Sequence, residues 1–376
     1  MNFLDLQFWL VFSFLYLPYL AICRKVVVRN SVLLVCSYYL YIRCSGEFFV
    51  LLLFSTIVGY VTGIAISRAS GFARKHLCWI PCALLLLILI RYKYALFIAH
   101  FVTLFFARGT SVAQWEEPLL ILPIGISFYT FQLVGYLVDV YRKDVVPERN
   151  PLRFALFVAF FPKIFSGPLV KTENFLQQLR QHKAISRIHL REGCFLIVWG
   201  MVQKYCIADN AAVIAHSFIL FPYYQEPYAL SGSLALTLQI YADFSGYSDI
   251  AKGIASLLGF ELPWNFRMPY LSSNPTEFWR RWHITLSEWF RAYVYIPLGG
   301  NRRGFLRSSL NVLLTMLLVG IWHGASLPFL LWGLYQGLLL VLHRLFGMPQ
   351  DPLSVRIRAF LRMSGVSYLS FFFLTR

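Results

Sequence analysis

Two histidines follow tryptophans in this sequence, at Trp282-His283 and Trp322-His323. A neutral imidazole accepts a proton near pH 7, so a histidine inside an apolar protein can act as a general base. His323 closes a long uncharged run and precedes Gly-Ala-Ser and another apolar stretch. This position, at the junction of two expected membrane helices, leaves two interpretations open: a catalytic base or a structural histidine.

Residues 274–293 predict one amphipathic helix. Asn274 is a good N-cap, Pro275 suits the first helical position, and Glu277 suits the third. Steps of three and four residues then form an aromatic face and a polar face. The aromatic face holds Phe278, Trp282, Leu286, Trp289 and Tyr293, and the polar face holds Arg280, His283, Ser287 and Arg291. These arginines either anchor lipid head groups or bind an anionic, phosphate-bearing donor.

Two carboxylates, Asp243 and Asp249, lie six residues apart in an otherwise apolar stretch. Ionisable groups inside a membrane are costly and suggest a functional site by default. A structural role is favoured here, in which each carboxylate pairs with a basic residue or caps a broken helix. Ion coordination and a direct part in chemistry remain the alternatives.

Several common catalytic signatures are absent from the sequence. It has no G-x-x-x-x-G-K-[ST], which argues against an ATP-driven pump, and no H-E-x-x-H or G-x-S-x-G. A protein metal site usually needs about three or four ligands, and His283 and His323 do not provide them. We therefore predict no metal centre and no permanently bound cofactor.

The elements that must position these residues are membrane helices. Of the 376 residues 58% are hydrophobic and 14% are charged, against about 25% charged in an average soluble protein. Residues 48–67, 118–138 and 308–343 contain no Asp, Glu, Lys or Arg, and roughly 20 apolar residues suffice to cross a bilayer. We predict an all-α polytopic membrane protein with spans at 3–23, 27–42, 46–67, 77–106, 118–141, 193–216, 228–259, 308–323 and 327–346.

The apolar tract 154–170 is interrupted by Pro162, Lys163, Gly167 and Pro168, which predicts a re-entrant segment. No repeat or low-complexity linker divides the chain, so we expect residues 1–376 to form one membrane domain. The formal net charge of +17 would suggest nucleic acid as the partner of a soluble protein, but basic loops on the cytoplasmic side explain it better here. We therefore expect no nucleic-acid partner.

Four stretches together resemble the membrane-bound O-acyltransferase family. They are PTEFWRRWHITLSEWFRAYVYIPLGGNRRG (275–304), NVLLTMLLVGIWHGAS (311–326), YADFSGYSDIAKGIASLLGF (241–260) and FFPKIFSGPLV (160–170). Within the family the chain looks most like the branch that O-acetylates bacterial alginate. The IPLGGNR stretch (296–302) favours this branch over the one that transfers D-alanine to teichoic acids.

The resemblance implies a ring of roughly 9–11 transmembrane helices, with re-entrant segments, around a central funnel. It implies acyl transfer from a cytoplasmic thioester, acetyl-CoA or another acetyl carrier, to an exported polysaccharide such as alginate. The expected partners are membrane lipid, a periplasmic acetyl-transfer protein and the acceptor polysaccharide, and the expected location is the bacterial inner membrane. The family also continues past position 376, so we expect its last helices to be missing.

The family's signature histidines map to His323, as general base, and His283, which would orient the donor, hydrogen-bond the thioester oxygen or relay a proton. We expect donor or substrate binding by Arg280, Arg281, Arg291, Trp282, Trp322 and Asn311. Ala292 departs from the pattern, because relatives usually carry an acidic residue there. The competing interpretations are D-alanyl or other acyl transfer to a cell-envelope polymer, a transporter, and a non-catalytic scaffold.

Overall fold

Most described residues lie in helices, as the long apolar runs predict. A computed structural model describes residues 5–95, 97–98, 122–165, 167–182, 185–220, 225–324 and 326–346, and no strand occurs in these ranges. The α-helices are α1 (Leu6–Ile22), α2 (Val26–Ser45), α3 (Phe49–Arg68), α4 (Gly71–Lys93), α5 (Ile126–Arg142), α6 (Pro151–Ala159), α7 (Phe161–Ile164), α8 (Thr172–Arg180), α9 (Arg187–Met201), α10 (Asp209–Leu220), α11 (Gln225–Leu257), α12 (Pro275–Arg281), α13 (Ile284–Phe290), α14 (Gly304–His323) and α15 (Leu327–Leu345). Two π-helical stretches, Val202–Ala208 and Arg291–Tyr295, follow α9 and α13. The all-α prediction is confirmed.

Four stretches of the described chain are long and apolar enough to cross a membrane: Val26–Arg68, Gly71–Lys93, Gly304–His323 and Leu327–Leu345. The first of them contains α2 and α3, which have 20 residues each. The shorter apolar helix α1 has 17 residues. A multi-pass membrane protein follows from these lengths and compositions.

Three predicted spans differ from the helices observed. The helix predicted at 77–106 begins at Gly71 and ends at Lys93, and the one predicted at 118–141 begins at Ile126. Residues 99–121, on which parts of both predictions fall, lie outside the described ranges. The span predicted at 193–216 is interrupted, because the chain widens into a π-helix over Val202–Ala208.

The packing of the chain divides it into two units. The first comprises Met1–Lys204 and Gly246–Pro263, and the second comprises Tyr205–Ser245 and Trp264–Arg376. The helix α11 contributes residues to both. That residues 1–376 act as one domain stays a prediction.

The predicted break in the tract 154–170 is present in the first unit. Helix α6 ends at Ala159, a single turn follows at Phe161–Ile164, and the described backbone then continues without a helix to Lys171. Lys163 is buried, donates to the carbonyl of Phe157 and lies over the ring of Phe175, with Nζ 4.9 Å from the ring centroid. The irregular backbone is therefore enclosed by protein, as a break in an apolar environment requires.

Helices α14 and α15 of the second unit form a close hairpin. A Cβ on Gly320 would collide with the carbonyl oxygen of Phe329, and one on Gly333 would lie 2.5 Å from the carbonyl oxygen of Met316. Small residues at a helix crossing let the backbones approach, which is the common way for helices to associate in lipid. This crossing lies one turn before His323 and fixes the end of α14.

In the first unit, α9 and α11 meet through two reciprocal pairs of glycines. A Cβ on Gly193 would lie 2.9 Å from the oxygen of Gly253, and one on Gly253 would lie 2.7 Å from the oxygen of Gly193. A Cβ on Gly200 would lie 2.5 Å from the oxygen of Gly246, and one on Gly246 would lie 2.7 Å from the oxygen of Gly200. The two glycines on each helix are seven residues apart, and the first glycine of one helix meets the second of the other. The two helices are therefore antiparallel along this glycine seam.

A larger residue in this seam should destabilise the protein. We expect Gly200→Val to lower the thermal unfolding temperature in detergent, because overpacking a close contact costs typically about 1–3 kcal/mol. The control is Val198→Leu on the same helix, where the side chain is 61% exposed. Equal unfolding temperatures for both variants would mean that the glycine seam does not limit stability.

Candidate active site

The helix predicted over residues 274–293 is broken, and the prediction of one continuous helix was wrong. Helix α12 ends at Arg281, Trp282 is extended with φ −99° and ψ 127°, and His283 is left-handed with φ 40° and ψ 54°. Helix α13 then starts at Ile284. The predicted start is right, since the Asn274 side chain accepts from the backbone N–H of Glu277 at 2.8 Å.

The backbone on either side of this break is hydrogen-bonded to a neighbouring segment, residues 265–267. The backbone N–H of Ile284 donates to the carbonyl of Asn265, and the N–H of Arg267 donates to the carbonyl of Arg281, both at 2.9 Å. These bonds satisfy polar backbone groups next to the break, where an unpaired group would be costly. A non-glycine residue at positive φ is uncommon, and such residues cluster at functional sites, which directs attention to His283.

Because the helix is broken here, the side chain of His283 lies in a pocket formed by aromatic rings. Its side chain is fully buried, with the ring of Phe244 edge-on at a centroid distance of 4.7 Å and that of Trp322 at 5.8 Å. Its Nδ1 lies 3.2 Å from Oδ1 of Asn265. Burial holds the pKa of His283 well below its ordinary value, and repulsion from a protonated His323 would add to this effect. The imidazole is therefore neutral at neutral pH.

His323 ends α14 and packs against the same tryptophan. Its ring centroid lies 4.9 Å from that of Trp322 and 5.2 Å from that of Trp332. The structure thus brings the two predicted catalytic histidines together around one indole. Trp322 itself is buried and contacts both histidines.

A cavity of about 590 Å³ lies within the second unit, and neither histidine is among the residues that line it. Its wall includes Ile284, which follows His283, and Val319, which lies one helical turn before His323. It carries three arginines, Arg280, Arg291 and Arg344, and one carboxylate, Glu288. Positive charge at one cavity with apolar walls suits an anionic ligand that has a long uncharged arm.

The predicted binding residues separate into two groups. Arg280 and Arg291 line the cavity, and Trp322 contacts both histidines. Arg281 instead pairs with the carboxylate of Glu277, one turn earlier on α12.

The remaining two predicted binding residues make structural contacts. Trp282 stacks on Phe278 at a centroid distance of 5.5 Å. Asn311 donates to the carbonyl oxygens of Leu298 and Gly300 at 3.3 and 3.2 Å, so it holds the loop before α14. Neither is among the residues that line the cavity.

The predicted structural carboxylates do not share a site. Asp249 accepts from the side-chain amide of Gln203 at 2.7 Å in the first unit, and Gln203 lies in a π-helical stretch. Asp243 is half-buried in the part of α11 that belongs to the second unit. Among the described residues no group of three or more His, Cys, Asp or Glu side chains is placed to hold a metal ion.

Sequence reasoning missed a polar cluster at one end of the cavity. Arg344 donates to Ser308 at 2.8 Å and to Oδ1 of Asn301 at 3.2 Å, and the hydroxyl of Tyr295 donates to the same oxygen. A signal was available, because residues 289–350 contain five arginines and no Asp or Glu. An arginine at the end of an apolar helix is usually interpreted as a lipid anchor. For this reason the sequence did not single out Arg344 as a cavity residue.

Comparison with known proteins identifies the family of the chain. The family model described as MBOAT, membrane-bound O-acyltransferase family, matches residues 147–352, more than half of the chain. The chain belongs to this family. It therefore belongs to the O-acyltransferases, and the resemblance found in the sequence is confirmed.

Three curated relatives show the breadth of the similarity. The chain is 40% identical over 358 residues to "Probable alginate O-acetylase AlgI" of Pseudomonas putida, covering 91% of the chain and 71% of the relative. It is 34% identical over 343 residues to a peptidoglycan O-acetyltransferase of Helicobacter pylori, covering 84% of the chain and 64% of the relative. It is 29% identical over 242 residues to a teichoic acid D-alanyltransferase of Bacillus subtilis (60% and 60%).

The burial of His283 gives a test of the site's geometry. Diethyl pyrocarbonate should modify His182, which is exposed, and should spare His283 in the folded protein, because the reagent must reach a ring nitrogen. Mass spectrometry of the digested protein measures both. Modification of His283 at the rate of His182, before unfolding, would contradict the buried pocket.

Proposed function

We propose that this protein transfers an acetyl group from a cytoplasmic thioester donor to a hydroxyl of an exported polysaccharide such as alginate. The observation that carries the proposal is the pair of histidines around Trp322, next to a cavity with three arginines. The similarity to alginate O-acetylases supports the choice of the acetyl group and of the acceptor. We place the protein in the bacterial inner membrane, with a periplasmic acetyl-transfer partner.

His323 acts as the general base in this mechanism. It takes the proton of the acceptor hydroxyl while the oxygen attacks the thioester carbonyl. The tetrahedral intermediate then expels the thiolate, which receives the proton from His323. Base catalysis of this kind contributes about 10²–10⁴-fold, and the positioning of the two substrates contributes much of the rest.

Direct transfer is favoured over a covalent acyl-enzyme. The hydroxyls of Ser287 and Thr315, which line the cavity, donate to the backbone carbonyls of Trp282 and Asn311. Neither has a base that would activate it as a nucleophile. Thr276 is the remaining alternative, since its hydroxyl lies 3.2 Å from Nδ1 of His343.

The arginines of the cavity hold the donor by its phosphate groups. Arg280 and Arg291 approach from α12 and the π-helical stretch, and Arg344 approaches from α15. A guanidinium forms two parallel hydrogen bonds to a phosphate, so three of them suit a phosphate-bearing thioester. The apolar walls suit the uncharged arm that carries the acyl group.

Loss of His323 should abolish acetylation. A deletion strain rescued with the wild-type chain should regain acetyl esters on its exported polysaccharide, and one rescued with His323→Ala should not, since roughly 10²–10⁴-fold of rate depends on the base. The control is His182→Ala in an exposed loop. Acetyl esters at wild-type level with His323→Ala, as expected of a transporter or scaffold, would refute the mechanism. Ester-bound D-alanine in place of acetate would favour the teichoic-acid branch.

Loss of Arg344 should weaken donor binding. A hydrogen bond to a charged group is worth about 1.5–3 kcal/mol, so Arg344→Gln should raise the KM for acetyl-CoA about tenfold or more with kcat little changed. The matched control is Arg302→Gln, on an exposed loop. Equal KM values for both variants would show that Arg344 does not bind the donor.

A further inference from the structure

Of the two ring nitrogens of His283, only Nδ1 has a hydrogen-bond partner among the described residues. Its Nδ1 lies 3.2 Å from Oδ1 of Asn265, a residue that is 2% exposed. Its Nε2 is buried and has no hydrogen-bond partner within the part of the chain that the structure describes. A buried polar atom without a partner is costly and calls for an explanation such as a ligand or a catalytic role.

The chemistry of the amide oxygen decides where the imidazole proton lies. Oδ1 of Asn265 already accepts from the hydroxyl of Thr285 at 2.7 Å, and an amide oxygen can only accept. Nδ1 of His283 must therefore donate to it. A neutral imidazole has a single N–H, so Nε2 then carries a bare lone pair.

The surroundings keep His283 neutral. The rings of Phe244, Phe266 and Trp322 pack against it, and burial lowers its pKa. His323 is an ionisable neighbour that also lowers the pKa of His283, because two imidazolium charges so close together would repel each other.

We propose that Asn265 is a positioning residue that fixes His283 in the tautomer with the proton on Nδ1, so that Nε2 serves the reaction as a hydrogen-bond acceptor. The role of Nε2 in the reaction rests on the proposed function. The tautomer decides which of the roles considered for His283 is chemically possible. A lone pair cannot donate to the thioester carbonyl oxygen. It can only accept, so of the roles open to His283 the relay of a proton is the one that a bare, buried Nε2 can fill.

Nuclear magnetic resonance of the detergent-solubilised chain with ¹⁵N-labelled histidine tests the tautomer without any substrate. The His283→Gln spectrum identifies the His283 signals by their loss. At pH 7 we expect a protonated Nδ1 and a bare Nε2 in the wild type, and loss of this preference in Asn265→Leu. A protonated Nε2 in the wild type would overturn the proposal, and so would unchanged signals in Asn265→Leu.

The conservative variant Asn265→Asp provides a second readout if Asn265→Leu does not fold. It keeps an acceptor for Nδ1 but adds a negative charge, which raises the pKa of His283. The ¹⁵N signals of His283 in the same labelled protein should therefore titrate at a higher pH than in the wild type, with the proton of the neutral ring still on Nδ1. Signals of His283 that titrate at the wild-type pH would contradict the proposal.

Thr285→Val is the matched control, because it removes a donor to the same oxygen and leaves the acceptor for His283 in place. For Thr285→Val we expect the wild-type tautomer and the wild-type titration of the His283 signals. A shift as large as that of Asn265→Asp would assign the effect to packing. A wild-type chain that has the expected tautomer but transfers no acetyl group would refute the proposed function and leave the role of Asn265 in setting the tautomer intact.

Discussion

A helix cannot be interrupted in apolar surroundings unless the backbone groups that it releases find other partners. Between Arg281 and Ile284 those partners come from residues 265–267, through two backbone hydrogen bonds. The rest of the site depends on this pairing. In an unbroken helix His283 would share a face with Arg280, Ser287 and Arg291, and these three do line the cavity. The break withdraws His283 from that face and places it beside Trp322.

The sequence predicts the fold better than the site. Hydrophobic runs locate α14 and α15 within a few residues, and the cap at Asn274 is local chemistry that the sequence shows directly. The break at His283 has no local signal, since no glycine or proline stands there and its cause lies 18 residues earlier. Arg344 was missed for a similar reason, because the cavity that it reaches is built from helices distant in sequence.

Rigid packing places the two histidines, and each is held differently. His323 follows the close crossing at Gly320 and Gly333, so its position depends on how nearly two backbones approach. His283 depends on hydrogen bonds from a loop instead. Precise sites are usually built on helices and strands with a supporting shell of contacts. In this chain a short non-helical segment at 265–267 provides that support.

On the proposed function, donor binding by the arginines of the cavity would also affect turnover. A site that recognises its donor by phosphate groups holds the spent carrier as firmly as the loaded one, because deacylation leaves those groups unchanged. Such uniform binding lowers KM without raising kcat. On the proposed function, the spent carrier is therefore a competitive inhibitor, and the flux of acetyl groups follows the ratio of loaded to spent carrier in the cell. Acetylation of the envelope would then report the acetylation state of the donor pool.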